Sequence, residues 1–257
     1  MILAGDHRQL PPASFASSAL GDGEPGPAGF EEAAVPESVL DLARGSGAFS
    51  NVTLRWHYRS RHEALIAFSN AAFYGGRLLP VAGGGAEAGI ELFYGEGTYR
   101  SRTTRDNPGE AARVAQRVVH HYSTRPALSL GVVAFSEAQA GAIETALGEA
   151  RRLHPDLDRF FGTDRLRGFF VKGAEAVQGD ERDVLILSIG YGPDEKGVLS
   201  GDFGPLGRPG GWRRLNVAIT RARYRVEIVS SIRASDIPES GTPEGLEHLR
   251  RYLETVR

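Results

Sequence analysis

Residues 130–152, LGVVAFSEAQAGAIETALGEARR, decide the fold. The first six are apolar throughout, which is the composition of a strand covered on both faces. From Glu137 the period changes. Ala138, Ala142, Ile143, Ala146 and Leu147 recur at helical spacing and predict a helix to about residue 152. A strand passing directly into a long helix is half of a parallel crossover unit. The alternation extends both ways. Residues 63–73 and 110–122 predict helices, the first stopped by Gly75-Gly76, and 90–94 a strand. Downstream, strands are predicted at 168–172, 184–189 and 226–230, and helices at 212–220 and 243–256. The predicted class is α/β, a mainly parallel sheet with helices on both faces. Such sheets take ligands at the carboxyl ends of their strands.

The amino-terminal part is less regular. Residues 1–4, MILA, read as a short buried strand entering a Gly5-Asp6 turn, and 13–35 as a mobile Ala/Ser/Gly/Pro loop. Pro36 suits the first turn of a helix through 42, 52–55 reads as a strand, and 83–89 as a Gly-rich loop. There is no cysteine, and the seven histidines lack ligand-like spacing, so neither disulfides nor a protein-held metal is expected. No apolar run reaches the roughly 18 residues of a membrane span, and the start does not resemble a signal peptide. A cytoplasmic location with no membrane partner is therefore expected. The formal net charge of -2 means that any nucleic-acid contact must be local. Of 30 basic residues only Lys172 and Lys196 are lysines, so arginine carries nearly all the positive charge.

Four segments place charged or amide side chains at strand ends or helix starts. GDHRQLPP, residues 5–12, holds Gln9 just past a strand, where it is either a phosphate sensor or part of a polar turn. LRWHYRSRH, residues 54–62, leads into FSNAAFY at 68–74. Its arginines suit phosphate oxygens and its aromatics suit a base, the alternative being a solvated helix start. In VKGAEAVQGDERDVLILS, residues 171–188, Gln178-Gly179 permits close backbone approach, and Glu181 can bind a ribose hydroxyl or a basic partner. By charge pattern alone it is an acidic connector. WRRLNVAITRAR, residues 212–223, sets Arg214, Thr220 and Arg221 about two helical turns apart, near one face if the segment stays helical. A guanidinium aimed at developing phosphate charge is what phosphoryl transfer requires, whereas a solvated basic helix requires nothing.

In this order the four segments resemble motifs III, IV, V and VI of superfamily 1 helicases, specifically the Upf1-like group, and the likeness covers nearly the whole chain. The tail after motif VI, residues 231–237, is similar to that of large bacterial multidomain helicases, some with a nuclease-like domain further on. The resemblance implies a RecA-like fold and a motor in which ATP and Mg²⁺ lie between two lobes. Residues 1–12 would be a remnant of the first lobe, 13–35 a flexible loop and 36–257 the second lobe. Gln9, Arg59 and Arg221 would be catalytic, the first coupling the γ-phosphate to strand binding and the arginines acting as fingers. Tyr58, Gln178, Gly179 and Glu181 would contact the nucleotide. Ser136 and Gln139, in a segment similar to a backbone-gripping loop, would contact nucleic acid with Arg214 and Thr220. The expected partners are single-stranded nucleic acid, DNA ahead of RNA, and the amino-terminal lobe. The family's usual Asp before motif V is Glu175 here, to which no role is assigned. The chain holds neither a phosphate loop nor an acidic Mg²⁺ pair upstream of residue 5, so it is expected to be inactive alone. The rivals are a binding module without chemistry and an ordinary nucleotide-binding α/β domain.

Overall fold

The computed structural model describes residues 1–11, 38–80, 89–95, 97–162 and 168–256. They fall into two compact units, Met1–Leu54 and Arg55–Arg257. The expected loop at 13–35 and most of that at 83–89 lie outside the described residues, as does Pro36.

In the first unit, helix α1 spans Val39–Gly45 and is capped by Ser38, whose hydroxyl accepts the Asp41 N–H. Its first residue is Val39, three positions after Pro36, because Ser38 takes the capping position through its bond to the Asp41 N–H. Residues 1–4 are not a buried strand. Met1 and Ile2 are 91% and 95% exposed, since an apolar sequence becomes a strand only beside a sheet that takes its hydrogen bonds.

The second unit is organised around β4, Leu130–Ala134, the strand anticipated from the opening stretch. In chain order its elements are β1 (Trp56–His57), α2 (Ala64–Phe73), β2 (Leu79–Pro80), β3 (Gly89–Tyr94), α3 (Pro108–Thr124), β4, α4 (Glu137–Leu153), β5 (Phe170–Gly173), β6 (Arg182–Ser188), α5 (Trp212–Ile219), β7 (Ala222–Ser230) and α6 (Glu244–Thr255). The expected strand at 52–55 is displaced to β1, which pairs in parallel with β2. Strands β3-β7-β6-β4-β5 form one sheet, parallel throughout.

Both faces are covered, as the apolar runs require. Val184 and Ile186 of β6 join Val114 and Val118 of α3 and Ile143 and Leu147 of α4 in one core. Leu185 and Leu187, also buried, point to the opposite face by the period of two. There α2, α5 and α6 pack together, with Phe73 stacked on Trp212 at 5.1 Å. In β7 the fully buried Glu227 is held by Arg117 at 2.8 and 3.0 Å and by Arg225 at 3.2 Å, so a central strand carries a neutralised carboxylate. This is the RecA-like α/β arrangement. Among the described residues no helix is long and apolar enough to cross a membrane.

Candidate functional site

The segment following β1 bends back along the sheet because Arg61 N–H donates to Arg223 O at 2.7 Å. That contact sets Arg59 over the amino ends of β6 and β7. Its Nε donates to Glu181 Oε2 at 2.9 Å, and its Nη1 to the Thr220 carbonyl at 3.3 Å. Arg182 N–H meets the Arg221 carbonyl at 3.2 Å, closing the group. Burial, reinforced by Arg59, lowers the pKa of His57 to about 4, so it stays neutral, sharing a 2.8 Å hydrogen bond with Ser60 Oγ. Arg59, Glu181, Thr220 and Arg221 thus assemble at the amino ends, not at the carboxyl ends where parallel sheets usually take ligands. The reason is that two of their segments feed β6 and β7 from below.

Exposure divides this group. Tyr58, Gln178 and Gly179 are exposed, Gly179 with φ +95, a conformation glycine adopts without strain. Arg221 is only 2% exposed and donates from Nε to Val217 O at 3.2 Å. Thr220 is buried too, its hydroxyl donating to Asn216 O at 2.7 Å. A cleft of about 740 Å³ opens beside Glu181, lined by Phe160, Phe169, Asp183 and Arg223 among others.

Arg214, Ser136 and Gln139 sit at the carboxyl ends. Helix α5 stops at Ile219, so Arg214 lies near its start and Arg221 beyond its end instead of sharing a face. Arg214 pairs with Glu175 through Nε at 2.7 Å and Nη2 at 2.6 Å. Ser136 caps α4 by accepting the Gln139 N–H, while Gln139 itself is fully buried. Its Oε1 accepts Asn107 N–H at 2.7 Å, and its Nε2 donates to Ser188 Oγ at 3.1 Å and Asn107 O at 3.3 Å. That amide faces inward and is not presented to a strand. Gln9 belongs to the first unit, where its Nε2 donates to Asp6 Oδ2 at 3.0 Å.

Sequence reasoning missed Glu110, which reads as an ordinary acidic residue in a helix's first turn. It is fully buried, and its carboxylate accepts from Ser188 Oγ, Gly190 N–H, Ser231 N–H and Ser231 Oγ at 2.6–3.0 Å. Burial pushes its pKa up to about 7 against those hydrogen bonds.

A family model described as an AAA domain matches residues 93–233, more than half the chain. The chain is similar to the "Uncharacterized ATP-dependent helicase MG140 homolog" of Mycoplasma pneumoniae, 36% identical over 243 residues, covering 91% of this chain and 21% of that protein. "DNA-binding protein SMUBP-2" of Mesocricetus auratus is 26% identical over 253 residues, covering 90% and 22%. "Regulator of nonsense transcripts 1 homolog" of Neurospora crassa is 27% identical over 253 residues, covering 90% and 20%. The chain thus spans about a fifth of the length of these relatives. With its parallel sheet and ordered motifs, the chain belongs to this AAA-domain family, as a carboxy-terminal RecA-like domain of an Upf1-like superfamily 1 helicase.

Proposed function

We propose that this domain is the second half of a motor that couples ATP hydrolysis to movement along single-stranded nucleic acid, DNA ahead of RNA. The observation that carries the reading is Arg59, held at the rim of the sheet by Glu181 and the Thr220 carbonyl, next to Arg221. Arg59 and Arg221 would stabilise the charge that develops on the transferred phosphoryl group. Glu181 would take the ribose, Tyr58 the adenine, and Gln178-Gly179 the rest of the nucleotide, while Gln9 would sense the γ-phosphate. Ser136 and Arg214 would meet the strand at the opposite rim, with Gln139 supporting them from within, while Thr220, the fourth candidate for the strand, lies at the amino rim beside Arg59. Mg²⁺ would come with the amino-terminal lobe, as the family resemblance implies. The isolated chain would then bind nucleotide poorly and turn over none. By family analogy, a nuclease-like domain further along the protein would be a companion.

The burial of Arg221 favours a second reading, a nucleic-acid or protein-binding module without chemistry. The deciding experiment measures ATP turnover of this chain mixed with the amino-terminal lobe, with and without single-stranded DNA, for the wild type, Arg59→Ala and Arg221→Ala. Turnover that needs both pieces and drops about a thousandfold or more in either variant supports the motor. Turnover indifferent to both arginines favours the binding module.

A further inference from the structure

Strand β3 borders the sheet on one side. Among the described residues its one strand neighbour is β7, and just beyond its end Gly95 N–H donates to Ser230 O at 2.8 Å. Backbone groups alternate sides along a strand, so Glu91 and Phe93 bond toward β7, while the N–H and C=O of Ile90, Leu92 and Tyr94 face outward. A row of such groups is a template for another extended chain.

A groove runs beside that edge. Its cavity, about 470 Å³, lies between the side chains of Ile90, Leu92 and Tyr94 and the end of α6, where Leu253 and Val256 are 2% and 5% exposed. The floor is apolar and the wall is unpaired backbone. By this combination a sheet edge takes up a peptide, main-chain bonds supplying affinity and alternate side chains filling the pocket.

Charge selects the occupant. The groove's two carboxylates are already matched, Glu91 by Arg225 and Glu254 by Arg250 at 2.6 Å. Its guanidinium, that of Arg233, lies over the exposed Tyr94 ring at 5.4 Å and has no carboxylate at ion-pair distance among the described residues.

We propose that this groove binds an extended segment of a partner polypeptide, which adds to the sheet along β3. The segment carries apolar side chains at alternate positions and an acidic one where it passes Tyr94. From Ile90 to Tyr94 the edge measures roughly 13 Å, room for about five paired residues. The apolar side chains enter between Leu92 and Leu253, and the acid meets Arg233. The surface shares no residue with the nucleotide and strand contacts above and does not depend on the motor.

The test uses the 257-residue chain and a fluorescein-labelled heptapeptide, Asp-Val-Thr-Val-Thr-Val-Asp, followed by fluorescence anisotropy. Saturable binding is expected. Backbone N-methylation of the valines and of the threonines should differ, one set abolishing binding because it faces the edge and the other being tolerated. Hydrogen exchange should slow at Ile90, Leu92 and Tyr94 and stay unchanged at Glu91 and Phe93. Replacing both aspartates of the peptide by lysine should weaken binding about fivefold, and Arg233→Glu, at an exposed position, should reverse that preference. Absence of binding, indifference to charge, or equal effects of the two methylation patterns overturns the proposal. Exchange that slows at the three edge residues with rising chain concentration and no peptide assigns the edge to a second copy, which also overturns it.

Discussion

The Glu110 carboxylate accepts the Ser188 hydroxyl at 2.7 Å in a fully buried position, joining the start of α3 to the end of β6. Its folded pKa is raised from 4.5 to about 7, so its contribution to stability is complete below pH 4.5 and is lost as the pH rises through about 7. The displacement corresponds to about 3 kcal/mol. Urea unfolding between pH 5 and 8 should show stability falling with pH. Glu110→Gln should flatten that slope while lowering stability at pH 5, because its amide NH₂ meets the Ser231 N–H. An unchanged slope would refute the assignment.

Gln139→Ala strips the Asn107 N–H of its acceptor in a buried site. A cost of about 1–3 kcal/mol is expected, visible as a lower urea midpoint. If the midpoint holds while DNA affinity falls, Gln139 works at the surface after all.

Tyr58 is 75% exposed, so Tyr58→Ala should change unfolding free energy by less than about 0.5 kcal/mol. In the reassembled motor the same variant should raise the KM for ATP several-fold with little change in kcat. A KM equal to the wild-type value removes Tyr58 from the adenine site.

Arg214→Ala should weaken oligothymidylate binding and reduce the slope of log affinity against log salt by about 0.7, the loss of one phosphate contact on a single strand. Weaker binding with an unaltered slope would show that Arg214 acts through Glu175 and not on phosphate.

The sheet was legible because β4 and residues 184–187 of β6 are apolar runs and α3 and α4 keep helical periods, all local signals. Strand β1 was not. Val52 and Leu54 look more strand-like than Trp56 and His57, yet pairing is decided by Leu79 and Pro80, which no local pattern names. Among the site residues the types could be picked out, but their partnerships could not. Arg59 and Glu181 are 122 positions apart, and Arg117 and Glu227 are 110 apart. A charge within a strand reads as solvent-facing until its distant partner is known. The structure gathers Arg59, Glu181 and Thr220 at the amino rim, whereas the carboxyl-end rule describes sheets that cradle a whole ligand alone.

Because all five strands of the main sheet run the same way, every connection leaving a strand departs from one rim, and those entering arrive at the other. The two rims can therefore diverge separately. Under the function proposed above, loops such as the one between Ser188 and Trp212 could lengthen or change character, altering which polymer is gripped, without disturbing the short approaches to β6 and β7. A frame of this kind lets one rim change while the other is kept.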